Sequence, residues 1–359
     1  MAFLQVKNVK ISGLSACVPK QIEENVDFPL FDSESYKNFA ATTGIERKRI
    51  STAKVCTSDL CIAAAEKLID SLAWNRDEIS VLVFVTQTPD YMLPATSCII
   101  QDKLKLSRDC YALDISLGCS GWVYGLSTAA TVVSSCNSDR YIRGGGVKML
   151  LLCGDTISKI CTKTDKSTYP LFGDAGTATA LEFSENCAPI LFNMNSDGSG
   201  YQAIIVNDGG YRNGISEKSF EKITRGEGIE SNNLQLILDG MDVFSFGIKR
   251  APESVNRLLE EFVINKDCID YFLFHQANMF MNEQIRKKLK LEKEKVPYSL
   301  KNFGNTSSAS IPLTMVTELS EKLKTGKLNH IACGFGVGLS WGSAAFETNK
   351  IAVPDLVEI

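Results

Sequence analysis

The two halves of this chain repeat the same order of sequence patterns, and this repeat restricts the fold more than any other feature. In the first half, the apolar run 81–85 precedes a polar turn and a helical pattern that ends at 102–106. In the second half, the apolar run 271–274 precedes a similar turn and a helical pattern that ends at 287–291. The matching order predicts an internal duplication.

A second pair of patterns supports the duplication. The buried-strand run 149–154 is followed by the Gly-containing run 173–180, and 331–334 is followed by 338–345 in the same order. Strands that are apolar on both faces and alternate with helices are typical of sheets covered by helices on both sides. The sequence therefore predicts an α/β protein built from two similar units.

We place the boundary between the two units near residue 185. The first unit comprises residues 1–184 and the second comprises residues 185–359. Two stretches, 137–146 and 195–233, are rich in Gly and polar residues, which is typical of loops. We expect both stretches to lie on the surface.

Charge and hydropathy exclude several classes of protein. The chain of 359 residues carries a formal net charge of −4, which argues against a nucleic-acid-binding protein. The first residues lack the basic segment and apolar core of a signal peptide. No apolar run reaches the roughly 18 residues of a membrane-spanning helix. The sequence predicts a cytoplasmic protein without a membrane span.

Cysteine is abundant and histidine is scarce. None of the 12 cysteines forms a Cys-x-x-Cys motif or a pair near a His at the spacing of zinc ligands, so we expect no metal site. The chain has 2 histidines, His275 and His330. His330 begins a strand-like run and is predicted to lie on the surface. A cysteine that requires an imidazole partner would therefore use His275.

Cys119 is the cysteine whose neighbouring residues indicate a catalytic role. An apolar strand is predicted to reach Gly118 and Cys119, and a helical pattern begins directly after them. A nucleophile at such a strand-to-helix bend is exposed. The N-terminus of the helix would direct backbone N–H groups and a partial positive charge at the sulfur, which favours the thiolate. We predict that Cys119 is a nucleophile rather than a structural cysteine.

Three later motifs complete a candidate site. His275 lies between a buried strand and a helix, and Asn305 lies in a polar loop that precedes a helix. The Gly-rich run 334–338 is not a dinucleotide-binding fingerprint, because Leu339 stands where the third Gly is required. Such a run can instead offer backbone N–H groups to an oxyanion.

The motifs and their order resemble β-ketoacyl-[acyl-carrier-protein] synthase III of the thiolase-like superfamily. The motifs that carry the resemblance are Gly118–Gly121, Phe172–Gly176, His275–Asn278, Gly304–Ser307 and Gly334–Gly338. The resemblance covers essentially the whole chain. It implies a thiolase-like, duplicated five-layer α-β-α-β-α fold, a homodimer, and a reaction that uses no cofactor.

The resemblance also implies a mechanism. Cys119 takes an acyl group from a thioester, and His275 and Asn305 polarise the carbonyl of a malonyl thioester. Decarboxylation then produces a carbanion, which attacks the acyl-Cys119 and yields a 3-oxoacyl-[acyl-carrier-protein]. The backbone N–H groups of Cys119 and Val337 would form the oxyanion hole.

Pocket and docking residues follow from the same resemblance. Phe335 resembles a Phe that family members place beside the nucleophile. Leu93 stands where many of them place a Phe from the dimer partner, which implies a changed acyl pocket. The acyl carrier protein is acidic, so we expect it to dock on basic residues, although a solvated helix face would explain them equally well. These residues are Arg286, Lys287 and Lys288, with Lys249 and Arg250 as further candidates.

This sequence departs from the family pattern at positions that contact coenzyme A. Asn38 and Thr42 replace a Trp and an Arg that clamp coenzyme A in the family, and Lys166 replaces an Arg that contacts its phosphate. Lys does not reproduce the planar, bidentate contacts of Arg. These changes favour an acyl donor bound to a carrier protein over acyl-coenzyme A.

Two other functions remain open from the sequence. Cys119 could pass its acyl group to a hydroxyl or amine without decarboxylation, in a dedicated secondary-metabolite or polysaccharide pathway. The intact Asn305 motif favours condensation. A non-catalytic homologue that only binds acyl groups or carrier protein is disfavoured by the complete set of Cys119, His275 and Asn305.

Overall fold

The computed structural model describes residues 2–136 and 147–359. The predicted loop 137–146 lies outside the described residues. The described parts of the chain form two large β-sheets, and α-helices pack on both faces of each sheet. In the described ranges, no helix is both long and apolar enough to cross a membrane.

The regular elements have the following bounds. The strands are β1 (Ala2–Val6), β2 (Val9–Val18), β3 (Ile22–Glu24), β4 (Arg47–Arg49), β5 (Ile79–Val85), β6 (Tyr111–Ile115), β7 (Lys148–Asp155), β8 (Ala175–Phe183), β9 (Ile190–Ser196), β10 (Ile204–Ile205), β11 (Ile223–Gly226), β12 (Ile229–Ser231), β13 (Ile237–Leu238), β14 (Tyr271–Phe274), β15 (Lys327–Gly336), β16 (Ser340–Asn349) and β17 (Val357–Glu358). The α-helices are α1 (Ser33–Thr43), α2 (Thr57–Ser71), α3 (Thr96–Lys103), α4 (Gly121–Ser135), α5 (Gly240–Glu261), α6 (Met279–Lys288), α7 (Leu300–Phe303), α8 (Ser310–Glu318) and α9 (Ser320–Thr325).

The strand order of the two sheets confirms the duplication. The first sheet has the order β17-β2-β8-β7-β5-β6 and the second has the order β1-β9-β16-β15-β14. In the first, β7 pairs parallel with β5 and antiparallel with β8. In the second, β15 pairs parallel with β14 and antiparallel with β16. The same pairing scheme therefore occurs once in each half of the chain.

The two sheets and their helices stack in five layers. In β7, Met149 and Leu151 face the layer between the sheets, while Leu150 and Leu152 face α2. This alternation is expected for a strand whose two faces are both buried. Helices α4 and α8 fill the layer between the sheets, and α5 and α6 cover the outer face of the second sheet. The predicted α-β-α-β-α fold is confirmed.

Each sheet is completed by a strand from the opposite end of the chain. Strand β1 pairs with β9 in the second sheet, and β17 pairs with β2 in the first. The Leu14 amide donates to the Ala352 carbonyl and the Ala352 amide donates to the Ser12 carbonyl, which extends the second of these contacts. The division at residue 185 stays a prediction, and the terminal strands cross it in both directions.

Close packing of α2 on β8 depends on Gly176. A Cβ atom at Gly176 would lie 2.5 Å from the backbone nitrogen of Cys61 and 2.6 Å from the carbonyl carbon of Leu60. Both are backbone atoms of α2, so they cannot move aside as the end of a flexible side chain could. The absence of a side chain at position 176 therefore sets the distance between this helix and the first sheet.

We expect Gly176→Ala to lower the free energy of unfolding by about 2 kcal/mol, because the added methyl group must push α2 away from β8. Chemical denaturation measures the change. Gly198→Ala is the matched control, since a Cβ atom there meets nothing within 4 Å. Equal stability of the two variants would contradict the packing argument.

Candidate active site

One cavity of about 360 Å³ brings the three predicted site residues together. Cys119, His275 and Asn305 all line it, as do Phe335 and Val337. Cys119 comes from the first half of the chain and the other four residues come from the second. The cavity therefore lies where the two halves meet.

The turn that carries Cys119 differs slightly from the prediction. Strand β6 ends at Ile115 rather than reaching Gly118, because the Leu117 amide turns back to donate to the Ile115 carbonyl. The Gly121 amide then donates to the Gly118 carbonyl over 2.6 Å, and α4 begins at Gly121. Cys119 thus lies in a short turn between strand and helix, just before the helix N-terminus.

The Gly-rich end of β15 packs directly on this turn. A Cβ atom at Gly336 would lie 2.5 Å from Cβ of Cys119 and 2.9 Å from its sulfur. A Cβ atom at Gly334 would lie 2.9 Å from Cα of Ser120. Any side chain at these positions would displace the Cys119 turn, which explains the glycines without a dinucleotide-binding role.

Cys119 is half-buried and lines the cavity beside the Gly-rich end of β15. Burial raises its pKa to about 12, and the nearby carboxylate of Asp155 acts in the same direction. Hydrogen bonds from the Val337 backbone and the Ser307 hydroxyl favour the anion but do not outweigh burial. The raised pKa opposes the predicted preference for the thiolate, because the cost of burying a charge exceeds the effect of these hydrogen bonds.

His275 follows the last residue of β14 and is 2% exposed. Its Nδ1 lies 2.8 Å from the hydroxyl of Ser310, and its ring meets the ring of Phe335 edge to face at 5.6 Å. Burial lowers the pKa of His275 to about 3, although a backbone hydrogen bond with Ser307 acts in the opposite direction. The imidazole is therefore neutral at physiological pH.

Asn305 lies in the loop between α7 and α8. Its Oδ1 accepts a hydrogen bond from the Ser307 amide at 2.9 Å. Its backbone amide donates to the Leu171 carbonyl, and its carbonyl accepts from the Gly173 amide. The Phe172–Gly176 motif thus holds the Asn305 loop in place, with the amide side chain on the cavity wall.

Comparison with known proteins places this arrangement in a family. Residues 113–198 match the family model for 3-oxoacyl-[acyl-carrier-protein (ACP)] synthase III. Residues 259–348 match the separate family model for the C-terminal part of the same enzyme. A β-ketoacyl-[acyl-carrier-protein] synthase III of Halalkalibacterium halodurans is 34% identical over 343 residues, 95% of this chain and 98% of that protein. This chain belongs to the 3-oxoacyl-[acyl-carrier-protein] synthase III family. It is accordingly an acyltransferase of the synthase III type.

Solved structures of synthase III confirm the thiolase-like fold. The 3-oxoacyl-(acyl-carrier protein) synthase of Burkholderia xenovorans is 38% identical, with a TM-score of 0.91 over 100% of this chain and 99% of that one. The synthase III of Pseudomonas aeruginosa is 26% identical, with a TM-score of 0.80 over 96% of this chain and 100% of that one.

Most of the apolar wall of the synthase III cavity was not predicted. Region 195–233 was expected to be a surface loop, but Ile204 and Ile205 form β10, pair with β13 and line the cavity. The short apolar runs 204–206 and 236–238 were the available signal. The wall residues share branched or aromatic apolar side chains and include Ile157, Ile160, Phe172, Ile204, Leu236 and Leu238.

Other predicted residues lie away from the cavity. Leu93 is 79% exposed and does not line the cavity of its own chain. Arg286 is engaged by two hydrogen bonds to Glu283 and one to the Leu291 carbonyl. Lys288 donates to the Ile248 carbonyl, and Lys287 is exposed at the end of α6. Within the described ranges, no group of three or more His, Cys, Asp or Glu side chains could hold a metal ion.

His330 was predicted to lie on the surface, and this is wrong. It is 0% exposed, its Nε2 lies 2.9 Å from the hydroxyl of Thr348, and its ring stacks between Tyr271 and Phe346. Strand β15 begins at Lys327, so His330 is already inside the sheet. Burial lowers its pKa to about 3.

We expect His330 to destabilise the fold progressively below pH 6.5. Between pH 6.5 and about 3 the unfolded chain binds a proton at His330 that the folded protein does not, so stability falls as the pH falls. Relative to His330→Asn, the wild type should lose about 1.4 kcal/mol more per pH unit in this range. Urea denaturation from pH 4 to pH 7 measures both slopes, and parallel slopes would contradict the expectation.

Proposed function

We propose that this protein condenses an acyl thioester with malonyl-[acyl-carrier-protein] and releases CO₂ and a 3-oxoacyl-[acyl-carrier-protein]. The observation that carries the proposal is that Cys119, His275 and Asn305 line one cavity in which His275 is neutral. A charged imidazolium could protonate the carbanion before it reacts. A neutral imidazole and an amide donate hydrogen bonds to a developing enolate oxygen without that loss.

The proposed reaction has two stages. In the first, the sulfur of Cys119 attacks the donor thioester, and the acyl-Cys119 intermediate divides one difficult step into two easier ones. The backbone N–H groups of Cys119 and Val337 stabilise the oxyanion. In the second, His275 and Asn305 stabilise the enolate left by decarboxylation. The Ser310 hydroxyl donates to Nδ1 of His275 in the tautomer whose Nε2 carries the proton.

We propose that the acyl group is apolar and arrives on a carrier protein. The wall residues from the β10 and β13 segments suit a hydrocarbon chain. Asn38 and Thr42 are exposed on α1 and offer neither the stacking surface nor the charge of the family's coenzyme A clamp. The amide of Lys166 donates to the Gly228 carbonyl, and its side chain lies along that glycine.

Carrier docking, dimerisation and location stay proposals. Among Arg286, Lys287 and Lys288, Lys287 is the most available cation, because the other two are engaged within the chain. The exposed Leu93 suits a homodimer in which this residue reaches the cavity of the partner. A cytoplasmic location remains a prediction of the sequence.

The reaction is tested by incubating the protein with malonyl-[acyl-carrier-protein] and an acyl donor, supplied either on coenzyme A or on carrier protein. We expect CO₂ release and a product longer by two carbons, with the carrier-bound donor preferred. Cys119→Ala should form no elongated product. An acyl adduct on Cys119 without elongation, together with acyl transfer to an amine or hydroxyl, would favour the alternative function instead.

We expect Lys287→Glu to raise the KM for malonyl-[acyl-carrier-protein] about two- to fivefold, the size of one exposed charge contact. The effect should shrink as ionic strength rises. Lys67→Glu is the matched control, because Lys67 is an exposed cation on α2, on the outer face of the first sheet. An equal change in KM for both variants would exclude docking at α6.

A further inference from the structure

A buried carboxylate beside the cavity has no part in the proposed reaction. Asp155 ends β7 and is 0% exposed. Its Oδ1 accepts hydrogen bonds from the Gln87 amide at 2.7 Å and the Thr86 hydroxyl at 3.0 Å. Its Oδ2 accepts from the hydroxyl of Ser308 at 2.8 Å and from the backbone amide of the same residue at 3.3 Å. Each carboxylate oxygen therefore receives a backbone N–H group and a hydroxyl.

These hydrogen bonds join the two halves of the chain close to Asn305. Asp155 and Gln87 lie where β7 and β5 end in the first half, and Ser308 lies between α7 and α8 in the second. The backbone of Asn305 pairs with Leu171 and Gly173, which also belong to the first half. The short segment from Asn305 to Ser308 is thus tied to the first half at both of its ends.

Ser307 lies between these two ties and has an unfavourable backbone conformation. Its φ angle is 51°, in the left-handed region that residues with a Cβ atom seldom adopt. Such a conformation persists only where the surrounding contacts hold it. On one side the Ser307 amide donates to Oδ1 of Asn305, and on the other side Ser308 is held by Asp155. The carboxylate therefore helps to fix the direction of the Ser307 N–H bond.

The direction of that bond determines which end of the Asn305 side chain faces the cavity. An amide side chain has one oxygen that accepts and one nitrogen that donates. Because Oδ1 accepts from the Ser307 amide, Nδ2 is the end that is left for a ligand, and it makes no hydrogen bond within residues 2–136 and 147–359. If Ser307 moved, the amide could turn over and present Oδ1, which cannot donate.

We propose that Asp155 is a positioning residue that holds Ser308, and through it Ser307, so that Nδ2 of Asn305 is available in the cavity. The inference rests on the proposed function, in which Asn305 donates to the enolate oxygen during decarboxylation. Acylation of Cys119 does not use Asn305. Asp155 therefore supports the second stage of the reaction and not the first.

A carboxylate suits position 155 and an amide does not. The backbone N–H group of Gln87 meets Oδ1, and that of Ser308 meets Oδ2. An N–H group cannot accept a hydrogen bond, so Asp155→Asn would place its NH₂ group against a donor in either orientation. This variant therefore keeps the shape of the side chain but breaks one side of the connection.

The test measures the two stages separately in three variants. Ser308→Ala removes one hydroxyl from the connection, and Asp155→Asn disrupts one side of it. Thr306→Val is the matched control, because the Thr306 hydroxyl lies in the same buried segment and has no hydrogen-bond partner within the described ranges. Acylation of Cys119 is followed in a single turnover by rapid quench and intact-protein mass spectrometry. The second stage is followed by CO₂ release from preformed acyl-enzyme mixed with malonyl-[acyl-carrier-protein].

We expect CO₂ release to fall about tenfold in Ser308→Ala, the usual effect of losing one hydrogen bond to a charged group. It should fall about 100-fold in Asp155→Asn, because a small displacement of a catalytic group has an effect of this size. Acylation should stay within about threefold in both variants, and both stages within about twofold in Thr306→Val. Equal slowing of the two stages, or unchanged CO₂ release in Ser308→Ala, would overturn the proposal.

A double variant shows whether Asp155 and Ser308 act through Asn305. In the Asn305→Ala background, Ser308→Ala should slow CO₂ release by less than about twofold, because no amide remains to be positioned. A further loss of about tenfold in that background would mean that Ser308 acts on another group, and the proposal would be wrong.

Amide exchange keeps the outcomes distinct. In Ser308→Ala the deuterium-exchange rate of the amides in segment 304–309 should rise about tenfold, and in Thr306→Val it should not change. If Asp155→Asn does not fold by circular dichroism, Ser308→Ala carries the test alone. If the wild type releases no CO₂ with any donor, the proposed function fails. Unchanged exchange in Ser308→Ala would separately show that Asp155 does not hold the segment.

Discussion

The candidate active site depends on the close approach of two turns, one from each half of the duplicated fold. The Gly-rich end of β15 lies so near the Cys119 turn that a single methyl group at Gly336 would reach Cys119. This contact joins the two sheets at the point where their strands end. It also brings Cys119 into the cavity that His275 and Asn305 line.

Burial shifts the pKa values of His275 and Cys119 in opposite directions. It keeps His275 neutral, which suits a group that must stabilise a carbanion without protonating it. It also raises the pKa of the Cys119 thiol, which opposes its proposed role as a nucleophile.

Local sequence patterns predicted the α/β class and the duplication, the family resemblance added the five layers, and the three residues proposed for the site line one cavity. Apolar runs, helix starts and glycines next to Cys119 report on short stretches of chain. The wrong or missing predictions concern properties that arise from contacts between residues far apart in the sequence. His330 is buried because β16 and Tyr271 cover it. Ile204 lines the cavity because β10 pairs with β13. Asp155 meets Ser308 across 153 residues of sequence. No local pattern reports on such contacts, or on the desolvation that raises the pKa of the thiol.

The exchange of terminal strands has a consequence for how the chain is made. Strand β17 occupies an edge of the first sheet, although it follows the elements of the second half in the sequence. During synthesis, the first sheet therefore stays one strand short until the second half has also been made. The open edge of β2 presents unpaired main-chain groups throughout that period, which is when strands pair with the wrong partner. The nascent chain thus cannot complete its first sheet before its second half has been made, although both halves are built on the same plan.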